Sequence, residues 1–195
     1  IMPLPFHSSR LLSLRGVSIA YGEKQVCGEI SFTLDRGERI AITGKNGAGK
    51  SSILKLAAGF DVPYNGILER PQGLIVSYVA QDTSFLSGKL SDFAREQAID
   101  ESLFKAILRK LDFSRVQFEK DMQAYSGGQK KKVLLSASLC KRAHLYIWDE
   151  PFNFIDVFSR MQIEQLLLSC GASMLFVEHD QAFTEKIAAK QVHLP

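Results

Sequence analysis

Residues 39–59 read RIAITGKNGAGKSSILKLAAG: an apolar run, a glycine-rich turn at 44–51, then an amphipathic stretch with helical spacing. The turn, GKNGAGKS, fits G-x-x-x-x-G-K-[ST], with Gly44, Gly49, Lys50 and Ser51 at the fixed positions. Four such positions coincide by chance in under about 1% of chains of this length, given ordinary residue usage. The strand on one side and the helix on the other are the setting the motif demands. Glycine permits the backbone N–H groups of Gly44, Asn46, Gly47, Ala48 and Gly49 to turn inward around phosphate oxygens, and the helix N-terminus adds its dipole. Lys50 would neutralise the β and γ phosphates, while Ser51, followed by Ser52, would hold Mg²⁺. The bland alternative is a plain glycine turn between a strand and a helix. The motif in this setting points instead to a nucleoside triphosphate.

A second stretch, LYIWDEP at 145–151, is a short apolar strand that delivers Asp149 beside the phosphate loop, where it can hold the metal's water shell. Glu150 follows, placed to orient or deprotonate an attacking water. Buried strands often end in an acidic turn, so this stretch gains its meaning from the phosphate loop. A third stretch, YSGGQ at 125–129, reads at its plainest as a Ser126 N-cap before a helix at 129–140.

Together these three runs resemble the ATP-binding cassette (ABC) family, whose LSGGQ signature is here spelled YSGGQ. The family order is met along nearly the whole chain. Tyr21 before Gly22 matches the aromatic that stacks on adenine, and Gln81 in VAQD matches the Q-loop glutamine that senses Mg²⁺ and the γ-phosphate. FNFID at 152–156 falls at the D-loop, and His179 in VEHD matches the switch histidine. Each of these residues alone has an ordinary reading as a strand cap or loop residue; the joint order carries the resemblance. The resemblance implies that Ser126, Gly127, Gly128 and Gln129 close over the ATP of a second cassette, head to tail. A solitary copy should then bind ATP and hydrolyse it poorly.

The remaining sequence sets bounds. The chain has 195 residues, 46% apolar and 23% charged, with a net charge of +3. That is enough for one packed domain, and too neutral to argue for nucleic acid by charge alone. No apolar run approaches the roughly 18 residues of a membrane span. Cys27, Cys140 and Cys170 are odd in number and lack a C-x-x-C pair, which favours free thiols in a reducing cytoplasm. Strand patterns at 11–20, 29–35, 39–44, 74–80, 145–148 and 174–177 alternate with helical ones, the longest running from about 90 to 118. There Leu103, Phe104, Ile107, Leu108 and Leu111 repeat at three and four. The expected fold is an α/β P-loop cassette: a mixed central sheet, an antiparallel β edge and a small helical subdomain at about 88–140. The chain opens on Ile rather than Met, so 1–9 reads as a linker remnant and 10–195 as a single nucleotide-binding domain cut from a longer protein.

Which kind of cassette is a narrower question. EPFNFID at 150–156 is close to the EP-x-N-x-[LI]-D of ABC-F translation factors, whereas transporter cassettes more often carry small residues there. The interval from Gln81 to Ser126 is short, and Lys130, Lys131 and Lys132 follow the signature directly, as in several ABC-F members. That lysine run reads more readily as a solvated helix face than as an RNA contact. The stretches 156–168 and 174–183 most resemble the ribosome-protecting, antibiotic-resistance branch, and the chain would be the second cassette of such a protein. The partners implied are a second cassette and the ribosome. The alternative is the ATP-binding subunit of an ABC transporter, docked on a separate membrane protein without entering the membrane itself.

Overall fold

The computed structural model describes residues 1–195, the side chain of Met2 excepted. In chain order the strands are β1 (Met2–Pro3), β2 (Arg10–Tyr21), β3 (Lys24–Asp35), β4 (Arg39–Thr43), β5 (Tyr64–Glu69), β6 (Val76–Val79), β7 (Arg142–Ala143), β8 (Leu145–Asp149), β9 (Met174–Val177) and β10 (Lys190–His193). The helices are α1 (Lys50–Ala58), α2 (Leu90–Glu96), α3 (Glu101–Lys110), α4 (Gly127–Cys140), α5 (Val157–Ser169) and α6 (Gln181–Ile187), with 3₁₀ turns at Arg115–Glu119 and Met122–Ala124.

The five short strands β10-β4-β9-β8-β6 form the central sheet, and every ladder in it is parallel, with Ile147 opposite both Tyr78 and Leu175. β8 and β9 are buried at every residue, as expected of parallel strands covered on both faces. Because side chains alternate along a strand, the sheet feeds two cores. Tyr146, Trp148, Met174 and Phe176 face a layer built from α2, α3, α4, α5 and α6. Leu145, Ile147, Leu175 and Val177 face α1 and the antiparallel strands. Each such side chain removed from water contributes roughly 1.5–3 kcal/mol.

The α/β cassette architecture is as expected, but the central sheet is wholly parallel rather than mixed. The antiparallel strands separate as their own sheet, β3-β2-β5, in which β2 and β3 are joined by the tight Gly22–Glu23 turn, and the chain passes directly from β3 into β4 of the parallel sheet. β5 has no counterpart in the sequence reading. Its residues are almost all exposed, and it pairs with β2 across an irregularity between Arg15 and Ser18. There Gly66, at φ +97°, presses against the backbone of Gly16.

The helix expected over 90–118 is divided. α2 ends at Glu96, and Asp100 restarts the chain as an N-cap accepting from the Leu103 N–H at 2.7 Å. Phe104, Leu108 and Leu111 are buried and Ile107 packs against them, whereas Leu103 lies outside the core. At the chain start, β1 pairs in parallel with β7, the Leu4 N–H donates to Ala143 O at 2.8 Å, and Phe6 is buried beside the rings of His7 and His144. Cys27 and Cys140 are buried and Cys170 half-buried, none in a disulfide. Among the described residues no helix is long and apolar enough to cross a membrane.

Candidate functional site

The C-terminal ends of β4, β8, β6 and β9 converge at one rim of the sheet, the place where open α/β sheets bind ligands. From β4 the chain enters the glycine turn, in which Gly44, Gly47 and Gly49 all have positive φ. Gly49 is required twice over: its φ is +84°, and a Cβ there would stand 2.6 Å from Val26 O. The turn delivers Lys50 to the start of α1. The buried Lys50 ammonium donates to the carbonyls of Gly44 at 2.9 Å and Lys45 at 3.0 Å, curling the loop around itself. Backbone N–H groups of the loop and of the first turn of α1 have no helical partner, which makes this an anion site.

Asp149 follows from strand parity. It lies on the same face as Leu145 and Ile147, toward α1, and its carboxyl sits by the Ser51 hydroxyl. Burial pushes its pKa up, against the pull of that hydroxyl. Its Oδ1 has no hydrogen-bond partner among the described residues. A buried carboxylate oxygen left without a donor, beside a hydroxyl, is a hard oxygen pair of the kind Mg²⁺ takes, so the residues present fit the ion.

Glu150 leaves the alternation. Its N–H is held by Val177 O at 2.9 Å, and its φ of +45° turns the chain out of the strand, a conformation costing a non-glycine residue about 1–2 kcal/mol. The carboxylate thereby meets three loops. Gln81 Nε2 donates to Oε2 at 2.8 Å, Asn153 Nδ2 to the same oxygen at 2.5 Å, and His179 Nε2 lies 3.0 Å from Oε1. Burial works to raise this carboxyl's pKa, but the bonds from His179, Asn153 and Gln81 outweigh it and hold the group below the usual carboxylate range.

These groups enclose a cavity of about 520 Å³ lined by Asn46, Gly47, Gly49, Lys50, Ser51, Ser52, Gln81, Glu150 and His179, together with Lys24 and Val26 of β3. Gly44 lines a smaller adjoining cavity with Lys50 and His179, while Ala48 packs toward the core behind the loop. Tyr21, half-exposed at the end of β2, donates from its hydroxyl to Ser52 Oγ at 3.3 Å, which fixes the ring near α1 without lining the cavity. The signature stands apart from this cavity. Ser126 caps α4 in a capping box: the Gln129 N–H donates to Ser126 Oγ at 3.3 Å and the Ser126 N–H to Gln129 Oε1 at 3.0 Å. Gly127 and Gly128 lie against Phe154, which is 85% exposed.

The sequence reading passed over Lys24, Val26 and Asn153, and it misjudged the lysine run. Lys131 is buried, not solvated: its ammonium donates to the carbonyls of Ala80, Gln81 and Asp149. Burial pushes it down to about 8, resisted by nearby carboxylates led by Asp149. Lys132, mostly buried, bridges Leu111 O and the Asp156 carboxylate, both at 2.6 Å. Helix α4 turns these two side chains inward against the sheet and α5, and Lys130, itself half-buried, makes no side-chain hydrogen bond. Asn153 was visible as the polar residue inside FNFID; the buried lysine had no local signal.

Residues 27–153 match the ABC transporter family model. Among curated relatives, the ribosome protection protein VmlR of Bacillus subtilis is 30% identical over 91% of this chain and 33% of its own length. The zinc import ATP-binding protein ZnuC of Yersinia enterocolitica is 31% identical over 95% of this chain and 78% of its own. The chain thus spans about a third of VmlR, and a similar share of the ATP-binding protein Uup of Caulobacter vibrioides, which is 28% identical. A solved ATP-binding subunit of an ABC transporter superposes with a TM-score of 0.79 at 24% identity, covering 94% of this chain and 85% of that one. With the family model covering more than half its length, the chain belongs to the ATP-binding domains of the ABC transporter family.

Proposed function

We propose that this domain is the Mg²⁺-dependent, ATP-hydrolysing cassette of a cytoplasmic two-cassette protein of the ABC-F, ribosome-associated kind. The observation that carries the hydrolytic part is the junction on Glu150, where one carboxylate at the rim of a phosphate-loop cavity takes bonds from Gln81, Asn153 and His179. An ionised carboxylate aimed by three donors is equipped to orient a water or take its proton. Gly44, Asn46, Gly47, Ala48, Gly49, Lys50 and Ser52 bind the phosphates, and Tyr21 stacks on the base. Ser51, Asp149 and Gln81 would hold Mg²⁺, which when bound neutralises charge on the phosphates. Ser126, Gly127, Gly128 and Gln129 serve the ATP of the second cassette. Replacing Glu150 with Gln should preserve nucleotide binding and cut turnover by about 10²-fold or more. Wild-type turnover in that variant would remove Glu150 from the mechanism.

The ribosomal role rests on the EPFNFID run and on the likeness to VmlR, a ribosome protection protein. The likeness to ZnuC, at similar identity and over most of ZnuC's length, supports the second reading, a transporter's ATP-binding subunit. Co-sedimentation of the full-length protein with ribosomes in ATP separates the two: absence from ribosomes would overturn the first.

A further inference from the structure

We propose that Lys131 is a positioning residue for the ATPase: a latch that fixes the signature helix to the main chain carrying Gln81 and Asp149. The inference rests on the hydrolytic reading above and concerns a residue to which that reading gives no role. Lys131 lies on the second turn of α4, five residues past the Ser126 cap, and is 2% exposed. Its Nζ donates to Ala80 O at 2.8 Å, Asp149 O at 3.2 Å and Gln81 O at 3.3 Å. An ammonium has three protons and no acceptor capacity, so these carbonyls use its donors fully. The acceptors come from two segments far apart in sequence, the ends of the paired strands β6 and β8.

All three acceptors are main-chain oxygens, so the side chains of Gln81 and Asp149 remain free for their own work. The latch therefore sets where those side chains start from. Through α4 it also sets the offset between the sheet rim and Ser126, Gly127 and Gly128. Sliding or tilting of α4 against the sheet must stretch hydrogen bonds to a buried charge, among the stronger contacts a domain makes. The neighbouring Lys132 holds a different pair, Leu111 and Asp156, so the two lysines anchor α4 to different parts of the molecule.

The test compares Lys131→Met, which keeps the stem and removes the donors, with Lys131→Arg, which keeps a donor, and with Lys130→Met as a control on the neighbouring lysine, which makes no side-chain hydrogen bond. In the full-length protein, Lys131→Met should bind a fluorescent ATP analogue within about threefold of wild type and keep KM, while kcat falls about tenfold. Lys131→Arg should recover part of that loss, and Lys130→Met should match wild type. A wild-type kcat in Lys131→Met overturns the proposal, as does an equal loss in both Lys131 variants accompanied by collapse of the thermal midpoint. Hydrogen–deuterium exchange without nucleotide supplies a reading independent of turnover. Amides around 80–84 and 149–153 should exchange faster in Lys131→Met than in Lys131→Arg, and unchanged exchange there refutes the latch. A wild-type protein that hydrolyses no ATP sinks the hydrolytic reading, and with it any role in turnover, while exchange still decides whether the latch exists.

Discussion

Gly127 and Gly128 are adjacent, share the first turn of α4 and look interchangeable in sequence, yet the fold assigns them different tolerances. A methyl group at Gly127 would rest 3.6 Å from Phe154 Cδ2, ordinary van der Waals contact. A methyl at Gly128 would fall well inside contact distance of the Phe154 carbonyl oxygen, a backbone atom on a residue at φ +65° with little room to give. Neither glycine has positive φ, so backbone strain does not confuse the comparison. Gly127→Ala should therefore be neutral, or gain a few tenths of a kcal/mol from the better helix former. Gly128→Ala gains the same and pays for overpacking, typically 1–3 kcal/mol. For a domain of this size that corresponds to a thermal midpoint lower by roughly 2–12 °C. Differential scanning fluorimetry or urea titration of the two variants beside wild type measures the difference directly. Equal midpoints, or a larger loss at Gly127, would refute the reasoning that the D-loop backbone closes on the second glycine alone.

Arg160 clamps α5 to the cap of α6, donating from Nη1 to Asp180 Oδ2 at 2.8 Å and from Nε to Glu164 Oε1 at 3.0 Å, over the rings of Phe152 and Phe183. The Arg160 bond holds the Asp180 carboxyl down to about 2, below its unfolded value near 3.9. This stabilisation is present above about pH 4 and is lost as pH falls toward 2, because the unfolded chain then binds the proton first. Arg160→Met should accordingly flatten the fall in stability between pH 4 and 2 seen in acid titrations by circular dichroism; an unchanged slope counts against it. In the core, Ser138 Oγ accepts from the indole of Trp148 at 2.9 Å and lies 2.8 Å from Ser77 Oγ. Ser138→Ala strands a buried N–H and should cost about 1–3 kcal/mol in urea unfolding, and wild-type stability would show that the indole finds another acceptor.

What the sequence disclosed was whatever depends on local chain. The phosphate turn needs glycine at fixed steps, and 174–177 is a continuous apolar run because a doubly covered strand needs nothing else. β5 escaped notice for the opposite reason: as an exposed edge strand, YNGILE carries no alternation, and the irregularity in its pairing lies on β2, between Arg15 and Ser18, some fifty residues away. The division of the 90–118 helix hid behind an unbroken hydrophobic period, since a cap at Asp100 leaves the spacing of Phe104 and Leu108 untouched. Among the site residues, the loop glycines and Asp149 were legible as motifs, and Gln81 and His179 through family order. Asn153 stood in view inside FNFID, its partner Glu150 three residues away, whereas Lys131 had no local signal, because its meaning lies in carbonyls contributed by two strands. Lysine is seldom buried, and only the parallel sheet brings the carbonyls of Ala80, Gln81 and Asp149 within reach of one ammonium.

The alternation along β8 has a consequence for how such a strand tolerates change. Leu145 and Ile147 look to one core, Tyr146 and Trp148 to the other, and Asp149 inherits its direction from that count. A one-residue slip would exchange the aromatic and aliphatic layers together and swing the carboxylate away from Ser51. Both cores thus act as proofreaders of the carboxylate's aim. Side-chain substitutions within the strand can be absorbed by whichever layer they enter, whereas any change in its length is rejected by both layers at once.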